Sequence, residues 1–312
     1  MSQVVPVLPA AVGLFGKIPA ERDFVRINAG AFLRAGLDRW FQEGGEHLQR
    51  ERTHLPEEPA RFLLSPAAGA PPFAGAFVAS QDAVGRAFPF VVFAVLDPPP
   101  ARVDSPVLSA QLASFWDASA RLAGAARKIA AVHLAAEACA LASALQPAAP
   151  PFDLNAMLMR SNSSEICAAV GGLPDAAAYA LTTVIAACSR TNTQPPESSG
   201  RVLALDCPAF NDGLRTFWLE LVHRHLGAKV QTPSSLWTGD SGRLLAALGP
   251  APSLMLAYLA DPDHKSTRRW PLRTSSQAAR ASAMENLSPA QRQVLVAEDA
   301  SLADVLSVFS DG

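Results

Sequence analysis

The alternation of apolar and polar positions predicts strands separated by long amphipathic helices. In residues 31–50, large apolar side chains recur at helical spacing while charged residues fill the opposite face, which predicts the first helix. The core-facing positions are Leu33, Leu37, Trp40, Phe41 and Leu48. Burial of such a set contributes roughly 8–15 kcal/mol in gross terms, so this helix belongs to the core.

Apolar segments without helical spacing predict the strands. We expect strands over residues 13–18, 61–64, 73–80, 88–96, 201–206, 235–238 and 253–259. The segment 88–96 (FPFVVFAVL) is apolar at almost every position, which is typical of a central strand covered on both faces. Gly85 lies in the connection before it and favours a hairpin turn.

Helical patterns fill much of the remaining chain. Helices are predicted from residue 107 to about 145 and over 153–160, 176–187 and 210–225. The segment 146–151 (QPAAPP) between the first two is predicted to be a linker. Within the segment 176–187, residues 182–185 also favour a strand. Ser288 opens a capping box with Pro289 at the first helical position, and Ser301 opens a final helix. Strands interleaved with long helices predict an α/β fold, a mixed β-sheet in a three-layer αβα sandwich.

Composition divides the chain into three parts. We expect a flexible N-terminus over residues 1–11, one αβα unit over 12–260, and a polar linker with two short helices over 261–312. Arg, Ser and Thr are frequent in residues 263–285, which predicts a mobile linker whose Arg268, Arg269 and Arg273 are solvated. Docking of a partner on these arginines is the alternative.

Charge and hydropathy exclude several functional classes. Hydrophobic residues make up 49% of the 312 positions, charged residues 17%, and the net charge is −2, so no broad basic field is available for nucleic acid or anionic lipid. The N-terminus lacks the basic region and unbroken apolar run of a signal peptide. No uncharged apolar run reaches the ~20 residues of a membrane span. The sequence predicts a cytoplasmic protein without nucleic-acid binding or membrane insertion.

The residues that usually hold metals and cofactors are dispersed. Cys139, Cys167, Cys188 and Cys207 are too far apart for a CxxC pair, and reduced thiols are expected. Residues 13–17 (GLFGK) lack the earlier glycine and the following Ser or Thr of a phosphate loop. His223 and His225 lie two apart on a predicted helix and therefore point in different directions; we interpret His225 as a core histidine. We expect no cofactor.

Residues 239–242 (GDSG) spell the sequence around the nucleophile of chymotrypsin-like proteases. Ser241 would need a histidine base and a buried aspartate to act as a nucleophile. His133, the one upstream histidine in a similar context, lies in an Ala-rich helical segment, and the chain lacks the many short strands of that fold. We therefore interpret the segment as a glycine-rich turn, with a hydrolase using Ser241 as the alternative.

Two ordered motif segments carry a resemblance to a known family. The matching residues are Gly16, Lys17, Pro19, Asp23, Phe24, Asp38 and Trp40 in the first segment, and Ser80, Asp82, Gly85, Arg86, Phe88 and Pro89 in the second. The segments resemble the GKxPxxxDFV…D+W and SxDxVGRxFP patterns of the TagF (ImpM) family. A weaker third match contains Trp237 in PSSLW.

The resemblance implies a three-layer αβα domain encoded in type VI secretion gene clusters, with no catalytic set. Some members of the family repress the apparatus post-translationally by binding its forkhead-associated scaffold protein. The resemblance thus implies a non-catalytic accessory protein, a repressor with that scaffold as partner, whose motif residues are structural or partner-binding. A structural component of the apparatus is the alternative.

Three charged motif residues stand among apolar neighbours. A lone charge is costly to bury, and Asp23, Asp82 and Arg86 all lie in turns beside predicted strands. We expect the two turns to converge at one end of the sheet. Arg86 should then pair with Asp23, Asp82 or backbone carbonyls and be largely shielded from water, the alternative being that all three are exposed turn residues.

Overall fold

The computed structural model describes residues 8–66, 71–97, 108, 111–143, 153–193, 202–227, 233–239, 242–297 and 299–310. Its strands are β1 (Leu8–Gly16), β2 (Val25–Ile27), β3 (Ala60–Leu64), β4 (Phe73–Val78), β5 (Phe90–Asp97), β6 (Ala204–Pro208), β7 (Ser234–Thr238), β8 (Arg243–Ala247) and β9 (Arg269–Pro271). Its helices are α1 (Gly30–Arg34), α2 (Leu37–Glu51), α3 (Ala113–Ala125), α4 (Ala131–Ser143), α5 (Leu154–Leu158), α6 (Ser163–Val170), α7 (Pro174–Thr193), α8 (Asp212–His225), α9 (Met255–Ala260), α10 (Gln277–Glu285), α11 (Pro289–Val296) and α12 (Leu302–Ser310).

The strands form one sheet in the order β2-β1-β5-β4-β3-β7-β8-β6-β9. Neighbouring strands are antiparallel except β6 and β9, which run parallel, so the sheet is mixed. Strand β5 pairs with β1 on one side and β4 on the other, which confirms the central strand predicted from residues 88–96. The turn predicted at Gly85 is also confirmed, since this glycine has φ 85° in the β4–β5 connection.

Helices cover both faces of the sheet because both faces are apolar. Successive side chains of a strand point to opposite faces, and those of β5 enter two separate cores: Val92 and Ala94 enter one, Val91 and Phe93 the other. The first core is closed by helices that include α3, α7, α8 and α12, and the second by α1, α2 and α9. The predicted α/β fold with a mixed sheet is confirmed, and its layers are helix, sheet and helix.

Both ends of the predicted central unit extend further than expected. Strand β1 begins at Leu8, inside the segment 1–11 predicted to be flexible, and pairs with the end of β5; residues 1–7 lie outside the described residues. The mobile linker predicted over 263–285 is wrong, because it contains strand β9 and helix α10. The two terminal helices were predicted correctly, including the capping box at Ser288. They pack into the first core through Leu295, Leu306 and neighbouring residues.

Several element assignments were wrong for identifiable reasons. The helix predicted over 31–50 is two helices, since Gly36 adopts the left-handed conformation that glycine tolerates best. The strand predicted over 253–259 is helix α9, a short apolar run buried on all sides, for which periodicity cannot separate the two states. Phe210 precedes α8 and is 49% exposed, because Asn211 caps that helix instead. The helix over 176–187 is confirmed, and the linker 146–151 lies outside the described residues.

A buried carboxylate holds the C-terminal segment against the sheet. Asp206 in β6 accepts hydrogen bonds from Arg243 Nη2 in β8 at 2.8 Å and from Arg269 Nε in β9 at 2.9 Å. Arg243 also donates to the carbonyls of Tyr258 and Leu259 at the end of α9, at 2.8 and 3.3 Å. The polar composition around Arg269 suggested a solvated linker, but here its charge is buried and neutralised.

Among the described residues, no single helix combines the length and the apolar character needed to cross a bilayer; only the bent pair α6–α7, counted together across its 90° bend, meets that test by length and composition.

We predict that Asp206→Asn lowers the free energy of unfolding by about 3–5 kcal/mol, because it leaves two buried guanidinium groups without a counter-charge. Asp117→Asn is the matched control, since Asp117 pairs with Arg61 but its side chain is 57% exposed. Because water reaches Asp117, this pair should contribute far less than the buried one, nearer the about 0–1 kcal/mol of surface ion pairs. Chemical denaturation measures both; equal losses in the two variants would contradict the buried network.

Candidate functional site

The two motif segments meet at one end of the sheet. Strand β1 ends at Gly16 and the antiparallel strand β5 begins at Phe90, so the chain leaves β1 beside the place where it enters β5. A hydrogen bond from Ala83 N to Glu21 O (2.8 Å) joins the turn after β1 to the β4–β5 hairpin. The expected convergence of the two turns is therefore present.

Asp82 is the centre of this convergence. Its side chain is fully buried, and its Oδ1 accepts the backbone N–H groups of Val84 and Arg86 at 3.1 and 2.9 Å. Its Oδ2 lies 2.7 Å from Arg86 Nε and 3.1 Å from Lys17 Nζ. We call Asp82, Lys17 and Arg86 the Asp82 cluster. The buried carboxylate thus has four donors, which come from both motif segments.

These donors fix the ionisation of the carboxyl group. Burial alone would raise the pKa of Asp82, but the hydrogen bonds from the Arg86 N–H, the Lys17 and Arg86 side chains and the Val84 N–H outweigh it. The pKa of Asp82 is held well below its usual range. The group is therefore a permanent anion with every strong acceptor position occupied, which suits a scaffold and not a proton acceptor.

Backbone geometry around the cluster requires glycine at two positions. Gly16 has φ 135°, and a Cβ there would lie 2.1 Å from the carbonyl oxygen of Pro89. Gly85 closes the hairpin tip with φ 85° and donates its N–H to Asp82 O at 3.0 Å. At the base of the hairpin, Phe88 N donates to Ser80 O at 3.0 Å.

An aromatic group supports the turn after β1. The Phe24 ring stacks on Phe15 at 5.2 Å between centroids and meets the edge of Phe88 at 4.9 Å. The Lys17 ammonium lies 5.1 Å from the Phe24 ring centre, within the range of a cation–π interaction. Phe24 thus packs against the lysine that neutralises Asp82.

The stretch of chain that contains both motif segments matches a known domain family. The model of the TagF N-terminal domain, described as type VI secretion system-associated, matches residues 13–142. This stretch is a TagF N-terminal domain. It contains both motif segments and the whole Asp82 cluster.

The whole chain has a solved structure of low sequence identity among its matches. No curated protein matches the chain. Among solved structures, PA0076 from Pseudomonas aeruginosa PAO1 is similar, with 19% sequence identity and a TM-score of 0.45, over 84% of this chain and 99% of that one.

The charged motif residues of the TagF N-terminal domain differ from expectation in two respects. Arg86 pairs with Asp82 and donates from Nη2 to Arg22 O at 2.6 Å, as expected, but its side chain is 61% exposed and not shielded. Asp23 is exposed and lies outside the cluster; among the residues that the structure describes, it accepts the neighbouring Phe24 N–H alone. Sequence reasoning missed Lys17 as the second partner, although its place just after β1 was the available signal.

The remaining motif residues lie away from the cluster. Pro19 is exposed in the turn after β1, and Asp38 lies in the first turn of α2, where a negative charge favours the helix dipole. Trp40 donates its ring N–H to Ala251 O at 2.7 Å, which fixes α2 to the loop before α9. Trp237, beyond the TagF N-terminal domain, is buried in β7 against Trp116.

The described residues contain no group of three or more His, Cys, Asp or Glu side chains arranged to hold a metal ion. His225 lies 2.9 Å from the carbonyl oxygen of Phe309, and burial lowers its pKa. Burial raises the pKa of Cys188 to about 12 and that of Cys207 well above its usual value, so both thiols are unreactive. Ser241 lies outside the described residues.

A groove of about 720 Å³ runs along one flank of the hairpin. Helix α2 and the residues after it form one wall, including Phe41, Leu48 and His54. Motif residues Phe88 and Pro89 form part of the other. The TagF N-terminal domain therefore presents both a projecting turn and an adjacent recess at this end of the sheet.

We predict that Asp82→Asn lowers stability at neutral pH while Asp23→Asn does not. A carboxyl group whose folded pKa is depressed stabilises the fold above its unfolded pKa and loses that effect as pH falls. The difference between wild type and Asp82→Asn should thus be constant near neutral pH and shrink as pH drops through the ordinary Asp value of 3.8. Denaturant titrations across this range measure it; a difference independent of pH would contradict the assignment.

We also predict that Lys17→Met destabilises the protein more than Arg86→Met. The Lys17 side chain is 9% exposed and its loss leaves buried Asp82 dependent on a largely solvated arginine. Loss of Arg86 leaves Lys17 in place. Thermal melts of the two variants test the ranking, and the reverse order would show that Arg86 carries the structural role.

Proposed function

We propose that this chain is a non-catalytic regulator of a type VI secretion system, a repressor that acts in the cytoplasm by binding the forkhead-associated scaffold protein of the apparatus. The TagF N-terminal domain supports the association with that system. The post-translational mode of action and the scaffold partner follow from the family resemblance of the two motif segments.

The observation that carries the proposal is the construction of the Asp82 cluster. Its carboxylate, lysine and arginine are residue types that also occur in active sites. Here the carboxylate is bound by the lysine, the arginine and two backbone N–H groups. What the cluster achieves is a fixed shape for two turns at the surface. A rigid surface feature favours recognition of another protein, because little conformational freedom is lost on binding.

Two alternatives lead to different expectations. A structural component would travel with the assembled apparatus, and its loss would abolish secretion. A hydrolase using Ser241 would lose its effect in Ser241→Ala while still folding normally. Under our proposal, Ser241→Ala behaves as wild type.

We predict that the purified chain co-precipitates with the forkhead-associated scaffold protein, and that deletion of its gene raises the release of secreted effectors. Absence of a repressor leaves assembly unrestrained, so secretion increases. The measurements are a pull-down with the purified scaffold and an effector-release assay on the deletion strain. Reduced release would favour the structural component, and a pull-down without the scaffold would contradict the proposed partner.

A further inference from the structure

The second motif segment divides into buried and exposed parts. Asp82 and Pro89 are buried, and their contacts explain why the turn adopts its shape. Val84 and Arg86, at the tip of the same hairpin, are both exposed: Val84 is 61% accessible although it is apolar, and the Arg86 side chain is 61% accessible. The fold uses Asp82, Pro89 and the hydrogen bonds of Arg86, whereas Val84 and most of the Arg86 side chain face solvent.

Hydrogen bonds hold the backbone of the turn that carries Val84 in one conformation. The Val84 N–H donates to Asp82 Oδ1, the neighbouring Ala83 N–H donates to Glu21 O, and Gly85 closes the turn with its own hydrogen bond. Single exposed apolar residues are ordinary on protein surfaces. An apolar side chain held on a pre-organised turn, in contrast, binds without the ordering penalty that weakens flexible loops.

Several basic side chains lie on the hairpin and on the segments that contact it. Arg86 lies within the hairpin, and Arg22 contributes the carbonyl that Arg86 binds while its own side chain is exposed. Arg26, in the strand β2 that follows the turn after β1, is exposed, and its guanidinium lies 5.8 Å from the Phe24 ring centre. Arg127, which follows α3, is exposed and donates to Ala79 O at 2.8 and 3.1 Å, at the base of the hairpin.

Basic side chains outnumber acidic ones among the residues of the two turns, β2 and Arg127. With Lys17, the four arginines give five basic side chains, against the acidic Glu21, Asp23 and Asp82, whereas the complete sequence has a net charge of −2. A local excess of one sign steers an oppositely charged partner and selects for it. An apolar centre with a polar rim is also the usual anatomy of a protein–protein interface.

We propose that Val84 with its rim of Arg22, Arg26, Arg86 and Arg127, here called the hairpin patch, is the docking surface of this protein, and that its occupant is a protein bearing an apolar pocket edged by acidic residues. The proposal rests on the proposed function and names the surface that would carry it. The groove beside Phe88 and Pro89 adjoins the hairpin patch and gives the partner a recess next to the tip.

The affinity test uses variants that leave the Asp82 cluster intact. Val84→Asp should weaken binding to the purified scaffold protein roughly tenfold or more, as the loss of a central interface residue does. The double variant Arg22→Glu/Arg26→Glu should also weaken it roughly tenfold or more, because two reversed charges repel an acidic partner. Wild-type binding should also weaken as salt is raised, and the double variant should lose most of that dependence. Thermal melts check that both variants fold; should Val84→Asp prove unstable, the double variant still decides.

Arg39→Glu is the matched control. Arg39 is exposed and lines a recess with Leu64, the residue at which β3 ends. The hairpin is at the opposite end of that strand, where Ala60 pairs with Phe77. The same change of charge at this position should leave affinity unchanged. Scaffold binding that is equal in wild type and in both hairpin-patch variants would overturn the docking surface while leaving the proposed function standing.

A photo-crosslinking residue at position 84, compared with one at position 39 in the native cell, separates the remaining outcomes. An adduct with the scaffold from position 84 alone supports both proposals. An adduct with another identified secretion protein that presents acidic residues supports the hairpin patch and overturns the scaffold as partner. The hairpin patch is overturned if position 84 gives no protein adduct. It is also overturned if anionic vesicles or nucleic acid bind through the same arginines instead.

Discussion

Because both faces of strand β5 are apolar, neither face of the sheet around it can remain in water, and helices have to cover both. This requirement accounts for the layered architecture and determines where function can be located. Side chains on the broad faces are used in packing, so the strand ends and their connections present most of the chemistry. The motif residues near Gly16 and Asp82 lie at such an end.

Two buried aspartates solve the same electrostatic problem in different ways. Asp206 lies within a strand, and its counter-charges are two buried arginines from β8 and β9, so it joins sheet elements. Asp82 lies in a turn, with one buried and one solvated cation and two backbone donors, so it shapes a loop. In both cases a charge that would be costly alone becomes stabilising through its complete set of partners.

Secondary structure was predicted correctly from the sequence where one local signal dominates. The apolar run of β5, the capping box at Ser288 and the spacing of the last helix each have a single physical interpretation, and each was confirmed. Predictions failed where distant residues decide. The polarity around Arg269 indicated solvent because its partner Asp206 is far away in sequence, and Lys17 had no visible reason to approach Asp82 until β1 was placed beside β5. The pairing of Arg86 with Asp82 could be predicted from the sequence, since both residues lie in one turn. The exposure of Arg86 could not be predicted from it.

The position of Lys17 has a consequence for the order in which the molecule assembles. The hairpin between β4 and β5 is local and can form early, whereas Lys17 reaches Asp82 only after β1 has added to the far side of β5. Contacts between segments distant in sequence form late, because loop closure opposes them. The rigid form of the hairpin tip is thus a late product of folding, and a partner that recognises it would discriminate against incompletely folded chains.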